Sequence, residues 1–215
     1  MTFSIVARCA KTGEIGAITA TGGPAVGALV LHGASHHGAI ATQAMTNPMA
    51  GITGVEFLRE AMPAKTCLDV LLKKDAAPTL RQLIIIDKQG TSAHWTGQAC
   101  LPWCGGLSET NLAIAGNMLA GEHVLHALYD TYHKYSELAL ANRLLMAMKA
   151  GEKAGGDYRG IRSAALKIWH RRQYADIDIR ADWSQQPLSD LNVILHQICS
   201  SDYADFFAQI PTGNE

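Results

Sequence analysis

The sequence predicts an α+β fold, a four-layer αββα sandwich in which two antiparallel sheets lie face to face with helices outside. Three observations predict it. Short runs rich in Val, Ile and Thr alternate with Gly-rich turns through the first 45 residues, and they are apolar on both faces, as covered strands are. Helical stretches come in pairs between blocks of hairpin-connected strands, which argues against a doubly wound parallel sheet. No internal repeat, low-complexity stretch or linker interrupts the chain, so residues 1–215 read as one domain.

In chain order, the first strands are expected at Phe3–Ala7, Ile15–Ala20, Val26–Leu31 and Ala39–Ala44, with Gly22-Gly23-Pro24 and Gly33 as turns. Thr53-Gly54-Val55-Glu56 fits a capping box, which starts a helix there, and Pro63 ends it. Cys67, Leu68, Leu71 and Leu72 stripe a second helix. "RQLIIIDKQGTSAHWTG" reads as a hairpin turning at Lys88-Gln89-Gly90, and "NLAIAGN" as a further strand. Val124, Leu125, Leu128 and Tyr132 mark one helix of the next pair; Leu138, Ala141, Leu145 and Met148 mark the other. "AGEKAGGD" reads as a turn, "IRSAALKIWH" as a strand and "ADIDI" as its partner. Leu188, Leu191, Leu195 and Ile198 stripe a late helix, and an amphipathic stretch follows near Tyr203–Ile210.

Composition narrows the function classes. At 48% hydrophobic, 17% charged and a formal net charge of -1, the chain lacks the basic field that nucleic acid or an anionic membrane surface requires. No apolar run approaches the roughly 18 residues of a membrane span. Five cysteines, with no secretory signal ahead of the first strand, read as reduced thiols in the cytoplasm. Cys100 and Cys104 have a spacing that suits zinc, but His94 is the one obvious further ligand nearby. Adjacent His36 and His37 would point to opposite faces of a strand and so could not easily share a metal. No metal and no cofactor is therefore expected.

Several stretches together carry a resemblance. "MTFSIVAR" and "TGEIGA", then "GAIATQAMTNP", "RQLIIID", "AIAGNMLAG" and "AGGDYRGIRSAAL" resemble, in order and spacing, the domain-of-unknown-function family 1028. The match runs from Met1 to about Leu166. That family looks related to the N-terminal nucleophile hydrolases, by layout. A hydroxyl or thiol residue begins the first strand, a Gly-rich strand end such as "AGNM" opens a helix, and a late Asp and Ser region leads into a strand. The resemblance implies the same αββα sandwich and, with Thr2, a hydrolase of non-peptide C–N bonds; without a charged or extended recognition module in the sequence, a small linear amide or amidated metabolite is the expected substrate.

The chemistry fits the opening residues. A Thr hydroxyl is a weak nucleophile that needs a neighbouring base. An α-amine, with an ordinary pKa near 7.7–8.0, can serve as that base when Thr is the first residue. Thr2 becomes terminal once Met1 is removed, which a small second residue permits. The resemblance further implies Gly116 and Asn117 as oxyanion donors at a strand-to-helix junction, helped by the positive end of the helix after Gly121. It implies Asp157 and Ser163 as groups that orient or tune the amine, beside Arg159. An alternative for Asp157 is a turn cap paired with Arg159. Thr21, Thr42 and Asn47 are pocket-lining candidates, and Gln43 is read as a strand-to-strand hydrogen bonder. Proteasome-type members carry an acid and a lysine on the second and third strands; "AITATGGPAVGAL" has neither. The alternatives to an amidase of small amides are a non-catalytic ligand-binding protein on the same fold and an amidase of peptidoglycan fragments. A small-molecule substrate and a homodimer complete the expectation.

Overall fold

A computed structural model describes residues 2–213. Ten strands form two antiparallel sheets. The first sheet has the order β10-β9-β2-β1-β8-β7, from β1 (Thr2–Arg8), β2 (Ile15–Thr21), β7 (Gly105–Glu109), β8 (Leu112–Asn117), β9 (Ser163–Trp169) and β10 (Ile177–Ala181). The second has the order β3-β4-β5-β6, from β3 (Leu31–Ala34), β4 (Gly38–Ala44), β5 (Arg81–Asp87) and β6 (Ser92–Thr96). Helices α1 (Pro48–Arg59) and α2 (Ala64–Lys74) pack on the second sheet. Helices α3 (His123–Lys134), α4 (Leu140–Lys153) and α5 (Pro187–Ile198) pack on the first, and α6 (Ser201–Gln209) leans on α5.

Three apolar clusters fill the spaces between the four layers. Val6, Ala17, Ala41, Ile84 and Ala115 meet between the sheets, where small side chains let them approach closely. Phe3, Ile5, Leu128, Leu144 and Met148 join the first sheet to α3 and α4, and Ile40, Leu58, Leu71 and Ile85 join the second to α1 and α2. The face of β1 toward α3 and α4 is apolar, with Phe3, Ile5 and Ala7, whereas the face between the sheets sets Thr2 and Ser4 beside Val6; both faces are buried.

Four local expectations are corrected. The first helix starts at Pro48, where Asn47 accepts a bond from the Met49 N–H (3.2 Å) and Pro occupies the first turn, so Thr53–Glu56 lie inside the helix. Gly54 lies against the end of the Ile40 side chain on β4, which would have to shift to admit a Cβ. Val26–Leu31 is not a strand: Val26–Ala28 form a 3₁₀ turn and β3 begins at Leu31. His36 and His37 sit in the β3–β4 turn, His36 with φ of 65°, rather than along a strand. Helix α4 runs to Lys153, so the turn is confined to Ala154–Asp157, where Gly155 and Gly156 take positive φ. Strand β7, an edge strand with two glycines and partial burial, was missing from the sequence reading.

Candidate active site

The strand ends of the first sheet bring four hydroxyl or amide residues into one row. Thr2 pairs in register with Asn117 of β8, and Thr21 with Ser163 of β9. Across β1 and β2 the Thr2 hydroxyl donates to Thr21 Oγ1 at 3.3 Å. Thr2 and Thr21 are each only 6% exposed. That remnant opens into a cavity of about 240 Å³ lined by Thr2, Thr21, Gly23, Gln43, Thr46 and Arg159, with Pro24, Val26, Leu29 and Val30 as its apolar side.

A buried polar ladder between the sheets fixes where Thr2 sits. The Gln43 amide nitrogen on β4 faces the Thr2 carbonyl (3.3 Å), the Ala115 carbonyl (3.2 Å) and Gln82 Oε1 on β5 (2.7 Å). Gln43 Oε1 accepts from the Ser4 hydroxyl at 2.5 Å. Gln82 Oε1 also accepts from the Asn117 side-chain amide at 2.9 Å, and Gln82 Nε2 donates to the Gly116 carbonyl at 2.9 Å. Gln43 therefore bonds across the sheets as well as to its strand neighbour. Satisfied networks of this kind in a low-dielectric interior are rigid, because any displacement strands a buried polar group. Gln82 was absent from the sequence reading.

Asp157 and Ser163 both act on the loop that follows Thr21. The Asp157 carboxylate accepts from the Gly22 N–H (2.6 Å) and the Arg159 N–H (2.8 Å), and it pairs with Arg159 Nη2 at 3.2 Å. The Ser163 hydroxyl donates to the Gly23 carbonyl (2.7 Å) and accepts from the Val26 N–H (3.1 Å). Together they clamp Gly22-Gly23-Pro24 as the cavity wall. Gly22 has no room for a side chain, since a Cβ would lie 2.8 Å from Asp157 Oδ2 and 3.1 Å from Arg159 Nη2.

The remaining candidates stand around this frame. Thr42 and Asn47 do not line the cavity but build the loop behind it. Thr42 Oγ1 accepts from the Asn47 N–H (3.3 Å), and the Asn47 amide donates to Asp75 (2.8 Å). Asp75 in turn holds Arg81, whose Nη1 donates to the Met45 carbonyl. The Arg81 guanidinium, followed by weaker bonds from Asn47 and the Ala77 N–H, pulls the Asp75 carboxyl down to about 2. Thr46 from the same loop does line the cavity, and no signal in the sequence marked it. Gly116 lies in the β1–β8 ladder opposite Phe3. Asn117 faces a neighbouring cavity of about 270 Å³, lined also by Ala44, Met45, Leu80 and Cys100. No residue of α3 lines the Thr2 cavity. Burial pushes the Cys100 and Cys104 thiols upward, and they hydrogen-bond to the carbonyls of Arg81 and Cys100. Among the described residues, no group of three or more His, Cys, Asp and Glu is placed to hold a metal ion. Met1 lies outside the described residues.

Residues 2–191 match the model of DUF1028, a family of unknown function. The chain belongs to that family. Protein SPO2555 from Silicibacter pomeroyi, a DUF1028 structure, is 30% identical, with a TM-score of 0.90 over 98% of this chain and 95% of the other. Anbu, an ancestral β-subunit from Yersinia bercovieri, aligns over 97% of this chain and 98% of its own at 11% identity and a TM-score of 0.41. No curated protein matches. Among the described residues no helix is long and apolar enough to cross a membrane.

Proposed function

We propose that this DUF1028 protein is an N-terminal-nucleophile hydrolase that cleaves a non-peptide C–N bond in a small amide, with Thr2 as nucleophile. One observation carries the reading. Thr2 Oγ1 borders a cavity whose described lining holds no carboxylate, imidazole or primary amine, so its own α-amine is the base in reach once Met1 is gone. In the first step the amine takes the Thr2 hydroxyl proton and Oγ1 bonds to the amide carbon. The C–N bond breaks as the leaving nitrogen takes that proton. Water then attacks the Thr2 ester, releasing the acid and restoring the hydroxyl. Oxyanion stabilisation falls to the Gly23 N–H, whose contact to Thr21 Oγ1 is a long 3.4 Å, with Asn117 on the opposite flank. The Arg159 guanidinium lines the same cavity, and a positive charge there favours the neutral form of the amine, the form that accepts a proton. It takes the place of the acid and lysine that proteasome-type relatives carry. Asp157 and Ser163 are positioning residues in this scheme, holding the loop that carries Gly23. A cytoplasmic homodimer belongs to the same proposal and is checked by light scattering of the purified protein.

The test is direct. Intact mass of the purified protein should show loss of Met1, and an acylating amide-mimetic probe should label Thr2 as mapped by peptide mass spectrometry. Thr2→Ser should keep much of the labelling, because only a methyl is removed, and Thr2→Ala should lose it. Retained Met1, or labelling at Cys9 in place of Thr2, overturns the reading and leaves a binding protein.

A further inference from the structure

We propose that the substrate carries a carboxylate, and that Arg159 is the residue that recognises it. The inference rests on the hydrolase reading of the Thr2 cavity and names its substrate class. Arg159 is the one charged side chain in the described lining of that cavity. Its side chain is 45% exposed, while the Asp157 side chain behind it is fully buried. A cation held half in a cavity and half against a buried anion is oriented without being consumed.

The bond lengths say how strongly it is held. Asp157 makes its short bonds, 2.6 and 2.8 Å, to the Gly22 and Arg159 backbone N–H groups. Its contacts to the guanidinium are long, 3.4 Å to Nε and 3.2 Å to Nη2. A tight arginine–carboxylate pair has bonds of about 2.7–2.9 Å. A guanidinium carries five donors, and Asp157 takes two of them weakly. The planar fork is therefore suited to a second carboxylate arriving from the cavity.

Position sets the size of the ligand. Arg159 Nη2 lies over Gly22, the residue after Thr21, and Thr21 Oγ1 is 3.3 Å from Thr2 Oγ1. A carbonyl at Thr2 and a carboxylate at Arg159 are thus bridged by a short chain. Pro24, Val26, Leu29 and Val30 give that chain an apolar wall. The cavity, about 240 Å³, is below the roughly 300–1,000 Å³ of drug-sized sites. These features together fit a monoamide of a short dicarboxylic acid, whose acyl half bears the carboxylate.

The experiment measures binding, so it does not depend on turnover. Full-length Thr2→Ala protein is titrated by NMR with the series malonamate, succinamate, glutaramate and adipamate, each against its neutral diamide. At least one monoamide should bind tenfold or more tightly than its diamide. Arg159→Gln should erase that preference, and Arg159→Lys should recover part of it. Equal binding of acid and diamide across the series, no binding of any, or a preference that survives Arg159→Gln overturns the proposal. If Arg159→Gln does not fold, the acid-to-diamide comparison in Thr2→Ala decides alone. Failure here with Thr2 still acylated by the probe removes the carboxylate and keeps the hydrolase. Carboxylate binding with no acylation does the reverse.

Discussion

Replacing Asp157 by alanine tests the clamp on the cavity wall. The carboxylate is fully buried, and two backbone N–H groups depend on it, those of Gly22 at 2.6 Å and Arg159 at 2.8 Å. A hydrogen bond to a charged acceptor contributes about 1.5–3 kcal/mol, and donors left unpaired inside the protein carry the full desolvation penalty. Two such bonds amount to about 3–6 kcal/mol. The guanidinium contact adds little, because Arg159 is nearly half exposed and water screens it. Since the two bonds share one loop they are not independent, and a loss of about 3–5 kcal/mol is expected. At roughly 2–4 °C per kcal/mol for a domain of this size, the melting temperature should fall by about 6–20 °C. Asp157→Asn keeps one good acceptor but turns a donor toward a donor, and should lose about half as much. Urea denaturation followed by circular dichroism reads the change as a lower midpoint at an unchanged slope. Asp157→Ala within about 0.5 kcal/mol of wild type would refute the clamp. A variant that keeps its stability but loses turnover would instead place Asp157 on the terminal amine.

Three further outcomes are expected. Gln82→Leu strands the Asn117 side-chain amide and takes a donor from the Gly116 carbonyl, while the Gln43 amide nitrogen keeps the Thr2 and Ala115 carbonyls, and should destabilise the protein by about 2–4 kcal/mol in the same urea assay. Asp75 is depressed to about 2, chiefly by Arg81; its stabilisation is complete above the unfolded carboxyl pKa near 4 and is lost as pH falls from there toward 2. That loss should be on the order of 2 kcal/mol, and Asp75→Asn should flatten this part of the stability–pH curve. Burial pushes the Cys67 thiol up to about 12, so native protein should resist alkylation there. Burial also acts on Cys9, but hydrogen bonds from Thr12 and Lys11 outweigh it and lower that thiol, so limiting iodoacetamide should modify Cys9 well before Cys67 by peptide mapping.

What the sequence made legible was local or periodic. The β1 run, the Lys88-Gln89-Gly90 turn and the α3 and α4 stripes all carry their signals within a dozen residues, and each element formed there. Thr2 stood out because a hydroxyl begins an apolar strand. The errors arose where local signals competed. Thr53–Glu56 has the capping pattern, yet Asn47-Pro48 offers both a capping amide and a preset φ nearly two turns earlier. Val26–Leu31 has strand composition, but its first N–H is taken by Ser163, 137 residues away. Asp157 reaches Gly22 across 135 residues, and no spacing rule reports a bond of that range. Gln43 and Gln82 are buried because two sheets stack on them; a single strand's pattern cannot say whether its polar position meets solvent or another sheet.

That long-range wiring bears on how one threonine could work without a side-chain base. A nucleophile whose base is its own amine has no freedom to move the two groups apart, so the surroundings must fix the residue and set the charge. The Gln43 contact to the Thr2 carbonyl does the first from the opposite sheet. In the proposed scheme Arg159 does the second from a loop late in the chain, beside a carboxylate that is itself anchored on backbone N–H groups. The division has a measurable consequence. Arg159→Gln removes a positive charge from the cavity, which makes protonation of the amine easier and raises its pKa. The base then fills with a proton at higher pH, so the acid limb of the kcat/KM profile should move upward while the alkaline side stays in place. Gln43→Leu leaves the cavity charge alone and should lower kcat with no movement of that limb. An acid limb that does not move in Arg159→Gln would mean that the guanidinium does not tune the amine, whatever else it binds.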